Sequence, residues 1–204
     1  MIAIVDYGSG NVAAIADIFK RLKLPHEITR DHARLRAADR YILPGVGAFD
    51  TTMRTLTKSG LVDLLNEQVL VKGKNILGIC VGMQILGDVS EEGSMPGLGW
   101  ISGHIRRIDA SAISGHIRLP HMGWNSIQLT QPSPLFDGVN LKRGFYFLHS
   151  YYFAAEHQAS VIATVEYGSS LPCGVTLGNV FGLQFHPEKS HSNGVAVFRN
   201  FANL

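Results

Sequence analysis

The sequence predicts an α/β fold: a mostly parallel central sheet flanked by helices, with an antiparallel β extension. Three observations carry that expectation. Strand-like and helix-like segments alternate from Met1 to Leu86. The run Asn75-Ile76-Leu77-Gly78-Ile79 is apolar beyond its first residue, as a parallel strand covered on both faces requires. From Gly97 onward the texture changes to short β-like runs. A length of 204 residues suits one hydrophobic core, so 1–204 is expected to form a single domain.

The elements follow in order. Met1-Ile2-Ala3-Ile4-Val5 ends at Asp6-Tyr7-Gly8-Ser9-Gly10-Asn11, after which Val12, Ile15, Ala16, Phe19 and Leu22 recur at helical spacing. This predicts strand, glycine turn, helix. A strand is expected over 26–29 and another over 40–43, stopped by Pro44-Gly45-Val46-Gly47 and followed by helical pattern through Val71. The buried strand over 75–79 turns through Cys80-Val81-Gly82 into a helical segment over 83–86. Further β runs are expected over 100–108, 124–129, 145–148, 160–165 and 180–185, with a closing helix over 194–201.

Composition narrows the function classes. With 46% hydrophobic and 17% charged residues, the chain has the apolar surface to fold. No run approaches the ~20 apolar residues of a membrane span, and the first residues lack the basic and apolar regions of a signal peptide, so a soluble, cytoplasmic protein is expected. The 18 basic and 16 acidic residues are scattered, which disfavours nucleic acid as a partner. Cys80 and Cys173 stand far apart in unlike contexts and supply neither a disulfide framework nor a metal pair. No metal or cofactor is expected.

Gly78-Ile79-Cys80-Val81-Gly82 has the form of a nucleophile elbow, whose glycines permit a strained strand-to-helix turn that projects the side chain. Phe185-His186-Pro187-Glu188-Lys189 supplies an imidazole to take the thiol proton and a carboxylate to orient it; in extended backbone, residues two apart point the same way. Pro44-Gly45-Val46-Gly47 follows a strand end, where backbone N–H groups face a developing oxyanion. Gly8-Ser9-Gly10-Asn11-Val12-Ala13, with Asp31 about 20 residues beyond, also fits a dinucleotide-binding turn, but that alternative leaves the elbow and H-P-E-K unexplained. His186 and His191 flank Glu188 without a third ligand cluster, so a metal site is not expected. By themselves, His121 and His149, beside aromatic residues, read as packed structural histidines.

In order, these segments resemble class I glutamine amidotransferases, a flavodoxin-like family, and within it the glutaminase subunits of imidazole glycerol phosphate synthase. The general features are Leu77-Gly78-Ile79-Cys80-Val81-Gly82-Met83-Gln84 and Gln184-Phe185-His186-Pro187-Glu188. The narrower ones are Ile4-Val5-Asp6-Tyr7-Gly8-Ser9-Gly10-Asn11, Leu43-Pro44-Gly45-Val46-Gly47-Ala48-Phe49, Pro120-His121-Met122-Gly123-Trp124-Asn125, Phe145-Tyr146-Phe147-Leu148-His149-Ser150-Tyr151 and Lys189-Ser190. The resemblance covers essentially the whole chain.

The resemblance implies that Cys80 attacks the side-chain amide of L-glutamine, with His186 as base and then acid, oriented by Glu188. It implies that Gln84, Glu92 and the backbone at Ser150 and Tyr151 hold the substrate, and that Val81 and the Val46-Gly47 peptides bind the oxyanion after the Val46 peptide reorients. It implies a heterodimer with a (β/α)8-barrel cyclase subunit that receives ammonia through a channel and makes imidazole glycerol phosphate in histidine biosynthesis. Asn11, His121, Trp124, Tyr146 and Lys189 match positions near that interface. A paralogous role, feeding ammonia to a surface-polysaccharide sugar amidotransferase, stays open on these motifs. Val81 in place of the commoner leucine, Gly87-Asp88 and Cys173 depart from the family pattern.

Overall fold

In the computed structural model, which describes residues 1–109, 111 and 118–204, the chain opens with β1 (Ile2–Val5), α1 (Val12–Arg21), β2 (His26–Thr29), α2 (His32–Ala37) and β3 (Arg40–Gly45). Helices α3 (Phe49–Lys58) and α4 (Val62–Asn66) follow, the latter running into a π turn over Glu67–Val71. Then come β4 (Asn75–Cys80) and the single-turn α5 (Val81–Gln84). The second half holds β5 (Val89–Ser90), β6 (Gly103–Arg107), β7 (His121–Asn125), β8 (Ile127–Leu129), β9 (Phe145–His149), β10 (Tyr151–Ala155), β11 (Val161–Glu166), β12 (Ser170–Leu177), β13 (Val180–Leu183) and α6 (His191–Ala202).

The main sheet has the order β2-β1-β3-β4-β13-β12-β11-β8. Its first five strands are parallel and the last three antiparallel, which is the fold class the sequence predicts. β1, β4 and β13 are almost wholly buried, as strands inside a covered parallel sheet must be. Helices α1 and α6 bury Ile15, Ile18, Phe19, Val197, Phe198 and Phe201, and meet where the Phe19 and Phe198 rings stand 5.1 Å apart. Two small sheets, β10-β6-β5 and β7-β9, complete the second half.

Several elements differ from the sequence expectation, each for a local reason. β3 runs on through Pro44 and Gly45, which pair with Ile79 and Cys80, so the helical stretch starts only at Phe49 and is broken at Gly60 (φ 72°). The helix expected over 83–86 is one turn over 81–84, because the Ile85 and Leu86 carbonyls accept N–H groups from Leu98, Trp100 and Ile101. The run over 124–129 splits into β7 and β8, which join different sheets. α2, β5, β10 and β12 were not anticipated. β12 contains Pro172 and Gly174, which argue against a central strand; β11 accommodates them through register shifts at Val161, Ala163 and Thr164.

Within the Gly8–Asn11 loop, Gly10 packs closely against Pro44. A Cβ on Gly10 would lie 2.5 Å from the Pro44 Cβ, and Asp31 caps α2 by accepting from the Arg34 N–H at 2.9 Å. This packing disfavours the dinucleotide alternative.

Three glycines let β3, β4 and α5 approach closely. A Cβ on Gly82 would lie 1.9 Å from the Leu43 carbonyl oxygen, on Gly45 2.4 Å from the Gly82 nitrogen, and on Gly78 2.5 Å from the Gly82 carbonyl oxygen. Gly82→Ala therefore has to push backbone apart. It is expected to destabilise the chain by about 2 kcal/mol or more in a urea-unfolding measurement, the scale of an overpacked core. An unchanged midpoint would contradict this packing.

Candidate active site

Cys80 ends β4 with φ 56° and ψ −115°, in the left-handed region that a non-glycine residue occupies only under constraint. The tight glycine contacts beneath it impose that turn, and α5 begins at the next residue. Its first N–H groups, that of Val81 among them, have no partner within the helix, and Val81 lines the same cavity as Cys80.

The chain delivers His186 just beyond β13, the parallel neighbour of β4. The His186 N–H donates to the Tyr146 carbonyl at 2.9 Å, and the Ser190 hydroxyl donates to the His186 carbonyl at 2.6 Å. His186 Nδ1 lies 2.9 Å from Glu188 Oε1, both side chains buried. The pair does not meet through the extended backbone the sequence suggested: Pro187–Lys189 is a 3-10 turn that folds Glu188 back onto the ring. Burial works to lower the His186 pKa, but hydrogen bonds to Cys80 and Glu188 and their charges outweigh it and raise the pKa to about 10. The imidazole thus has a strong hold on a proton beside the sulfur.

Cys80 and His186 border a cavity of about 320 Å³, at the lower end of small-molecule pocket sizes, with Glu188 behind its wall. Of the sequence-predicted residues it brings together Val46, Gly47, Cys80, Val81, Gln84, Glu92, Ser150, Tyr151, His186 and Lys189. Gln84 Nε2 donates to the Tyr151 carbonyl at 3.2 Å and to Gln184 Oε1 at 3.0 Å, and Gln184 Nε2 in turn points at Cys80 Sγ, 3.9 Å away. The Glu92 carboxylate accepts the Phe49 N–H at 2.7 Å, capping α3, whose N-cap residue Ala48 offers no side-chain cap.

The Val46 N–H, expected to reach an oxyanion only once its peptide reorients, is engaged by another group. It donates to Ser9 Oγ at 3.1 Å, and the Ser9 hydroxyl returns a bond to the Val46 carbonyl at 3.2 Å. Ser9 lies outside the cavity wall, so this peptide offers its donor to the glycine loop.

The residues matched to an interface divide. Asn11 and Lys189 are exposed, and Trp124 is 45% exposed with its ring stacked on His191. Tyr146 is half-buried, its ring 5.5 Å from Lys189 Nζ. His121 is 2% exposed, its ring packed between Phe147 and Tyr167, as a packed structural histidine would be. Sequence reasoning assigned no role to Ser9 or Gln184. Gln184 stands two residues before His186 in an apolar run, just beyond β13, where an amide is itself a signal; Ser9 was hidden inside a glycine turn.

The match to known proteins agrees with this arrangement. The family model "Glutamine amidotransferase class-I" matches residues 3–203. The "Imidazole glycerol phosphate synthase subunit HisH" of Leptospira borgpetersenii is 45% identical over the full length of both chains, and that of Bdellovibrio bacteriovorus is 44% identical over the full length of both. A solved glutamine amidotransferase shares the fold at a TM-score of 0.74 and 19% identity, covering 100% of this chain and 99% of its own. The chain belongs to the class-I glutamine amidotransferase family, alongside the imidazole glycerol phosphate synthase HisH subunits.

Proposed function

We propose that the chain is the glutaminase subunit of an imidazole glycerol phosphate synthase, releasing ammonia from L-glutamine for a separate cyclase subunit in histidine biosynthesis. The observation that carries this is that Cys80 and His186 line one amino-acid-sized cavity, with His186 held from behind by the buried Glu188 carboxylate. The relatives' names support the imidazole glycerol phosphate pathway over supply of a sugar-modifying amidotransferase.

In this proposal the Cys80 sulfur attacks the side-chain carbonyl carbon of glutamine while His186 takes the thiol proton. His186 then gives that proton to the departing nitrogen as the C–N bond breaks, leaving ammonia and a γ-glutamyl thioester. A water, deprotonated by His186, adds to the thioester carbon; the C–S bond breaks, glutamate leaves and the thiol is restored. Glu188 holds the ring orientation throughout. Gln84, Glu92 and the Ser150-Tyr151 backbone hold the amino-acid end of the substrate.

The tetrahedral oxyanion takes one hydrogen bond from the Val81 N–H and needs a second from the Val46-Gly47 segment. With the Val46 N–H engaged by Ser9, that second donor is withheld. The loss of one oxyanion donor slows acyl transfer by roughly 100- to 1,000-fold, so the resting chain wastes little glutamine. Docking of a (β/α)8-barrel cyclase over the exposed Val46, Trp124 and Lys189 would form a cytoplasmic heterodimer and turn the peptide inward. Ammonia must travel as neutral NH3, which an enclosed path between subunits protects from protonation.

Two outcomes check this. In the complex, Cys80→Ala is expected to abolish glutamine-dependent product formation while added ammonium salt still supports the cyclase; loss of both activities would count against a donor role. Without the partner, Ser9→Ala is expected to raise glutamate production by roughly tenfold as the Val46 N–H is released, with Ser9→Thr near wild type. Equal rates for all three chains would remove Ser9 from the account.

A further inference from the structure

We infer that His121 and His149 are positioning residues that fix the Ser150-Tyr151 backbone of the glutamine pocket through one directed chain of hydrogen bonds; the inference rests on the proposed glutaminase activity for its substrate.

The chain has a single consistent arrangement of protons. The Tyr151 carbonyl only accepts, and His149 Nδ1 lies 2.8 Å from it, so Nδ1 of His149 carries a proton. The Nε2 of a neutral His149 is then a lone pair, and His121 Nδ1 lies 3.0 Å from it, so His121 Nδ1 carries a proton too. The Nε2 of His121 is left as an acceptor, and Asn125 Nδ2 points at it from 3.4 Å while giving its other hydrogen to the Glu166 carbonyl at 2.9 Å. Each donor has an acceptor only in this direction. A further proton on either ring would set two N–H groups against each other.

The surroundings keep both rings neutral and still. Burial lowers His121 to about 4 and His149 to about 3, with the backbone hydrogen bond opposing and the charges of His121 and His186 adding in the second case. The His121 ring is clamped between Phe147 at 4.6 Å and Tyr167 at 3.9 Å. His149 closes β9 and Tyr151 opens β10, which lie in different sheets, so the intervening peptides form a crossover. The Tyr151 carbonyl takes a second bond from Gln84, whose amide continues to Gln184 and the sulfur of Cys80. His149 therefore forms part of the cavity wall, and His121 supports it from behind. The pair also stands opposite itself across the β7-β9 register, with Met122 and Trp124 of β7 exposed on the surface.

The test uses the complex with its cyclase partner. His121→Phe keeps the stacking but leaves His149 Nε2 without a donor, whereas His121→Asn places an amide N–H where Nδ1 was. His121→Phe is expected to raise the KM for glutamine by about tenfold with kcat changed far less, while His121→Asn stays within about threefold of wild type. Ammonium-dependent cyclase activity should be the same in all three. Imidazole ¹⁵N spectra of the wild-type chain at neutral pH should show both rings as Nδ1–H tautomers. An unchanged KM in His121→Phe, equal losses in the Phe and Asn variants, or Nε2–H tautomers would each overturn the inference. A wild-type complex that hydrolyses no glutamine would instead sink the proposed activity, and the tautomer spectra would still decide whether the chain of bonds exists.

Discussion

The site depends on how closely three pieces of backbone approach one another beneath Cys80. β3, β4 and α5 meet where Gly45, Gly78 and Gly82 leave no room for a Cβ, and that contact forces the Cys80 backbone into the left-handed region. A non-glycine residue held there costs on the order of 1–3 kcal/mol, which the surrounding buried sheet offsets. Because β4 lies between β3 and β13, and all three are parallel, the loops leaving their carboxyl ends converge. β3 delivers Val46, β4 delivers the thiol, and β13 delivers His186. A substitution at Gly82 thus acts on the catalytic geometry through the fold.

How much of this was legible in the sequence followed from how local the signal was. The parallel half is written in continuous apolar runs and glycine turns, and β1, β3 and β4 lie where those runs place them. β12 was not, because Pro172 and Gly174 carry the signature of a breaker and are accommodated by register shifts in β11, its hairpin partner. The nucleophile and its histidine could be named, but the contact between His186 and Glu188 depends on a 3-10 turn that alternation rules do not foresee. His121 reads from its aromatic neighbours as a packed structural histidine, and only the resemblance sets it near an interface. Its burial depends on Phe147 and Tyr167, contributed by strand β9 and the turn after β11.

The polar interior has a division of labour that composition cannot reveal. One hydroxyl, Ser9, keeps a backbone donor turned away from the cavity, while two neutral imidazoles brace the opposite wall. The Ser9 contact is a pair of exposed, long hydrogen bonds, weak enough to exchange for contacts with an oxyanion or a partner. The histidine pair is buried and fully directed, so it resists rearrangement. In the proposed reaction the first is the movable part and the second is the fixed reference.

The central claim is that Cys80 carries the glutamyl group. The direct measurement is to mix the complex with glutamine, quench in acid during turnover, and locate any added glutamyl mass by peptide mass spectrometry. A thioester on the peptide containing Cys80, with the fully buried Cys173 unmodified, is the result this account predicts. Continued turnover with no adduct on Cys80, or an adduct on Cys173, would contradict it.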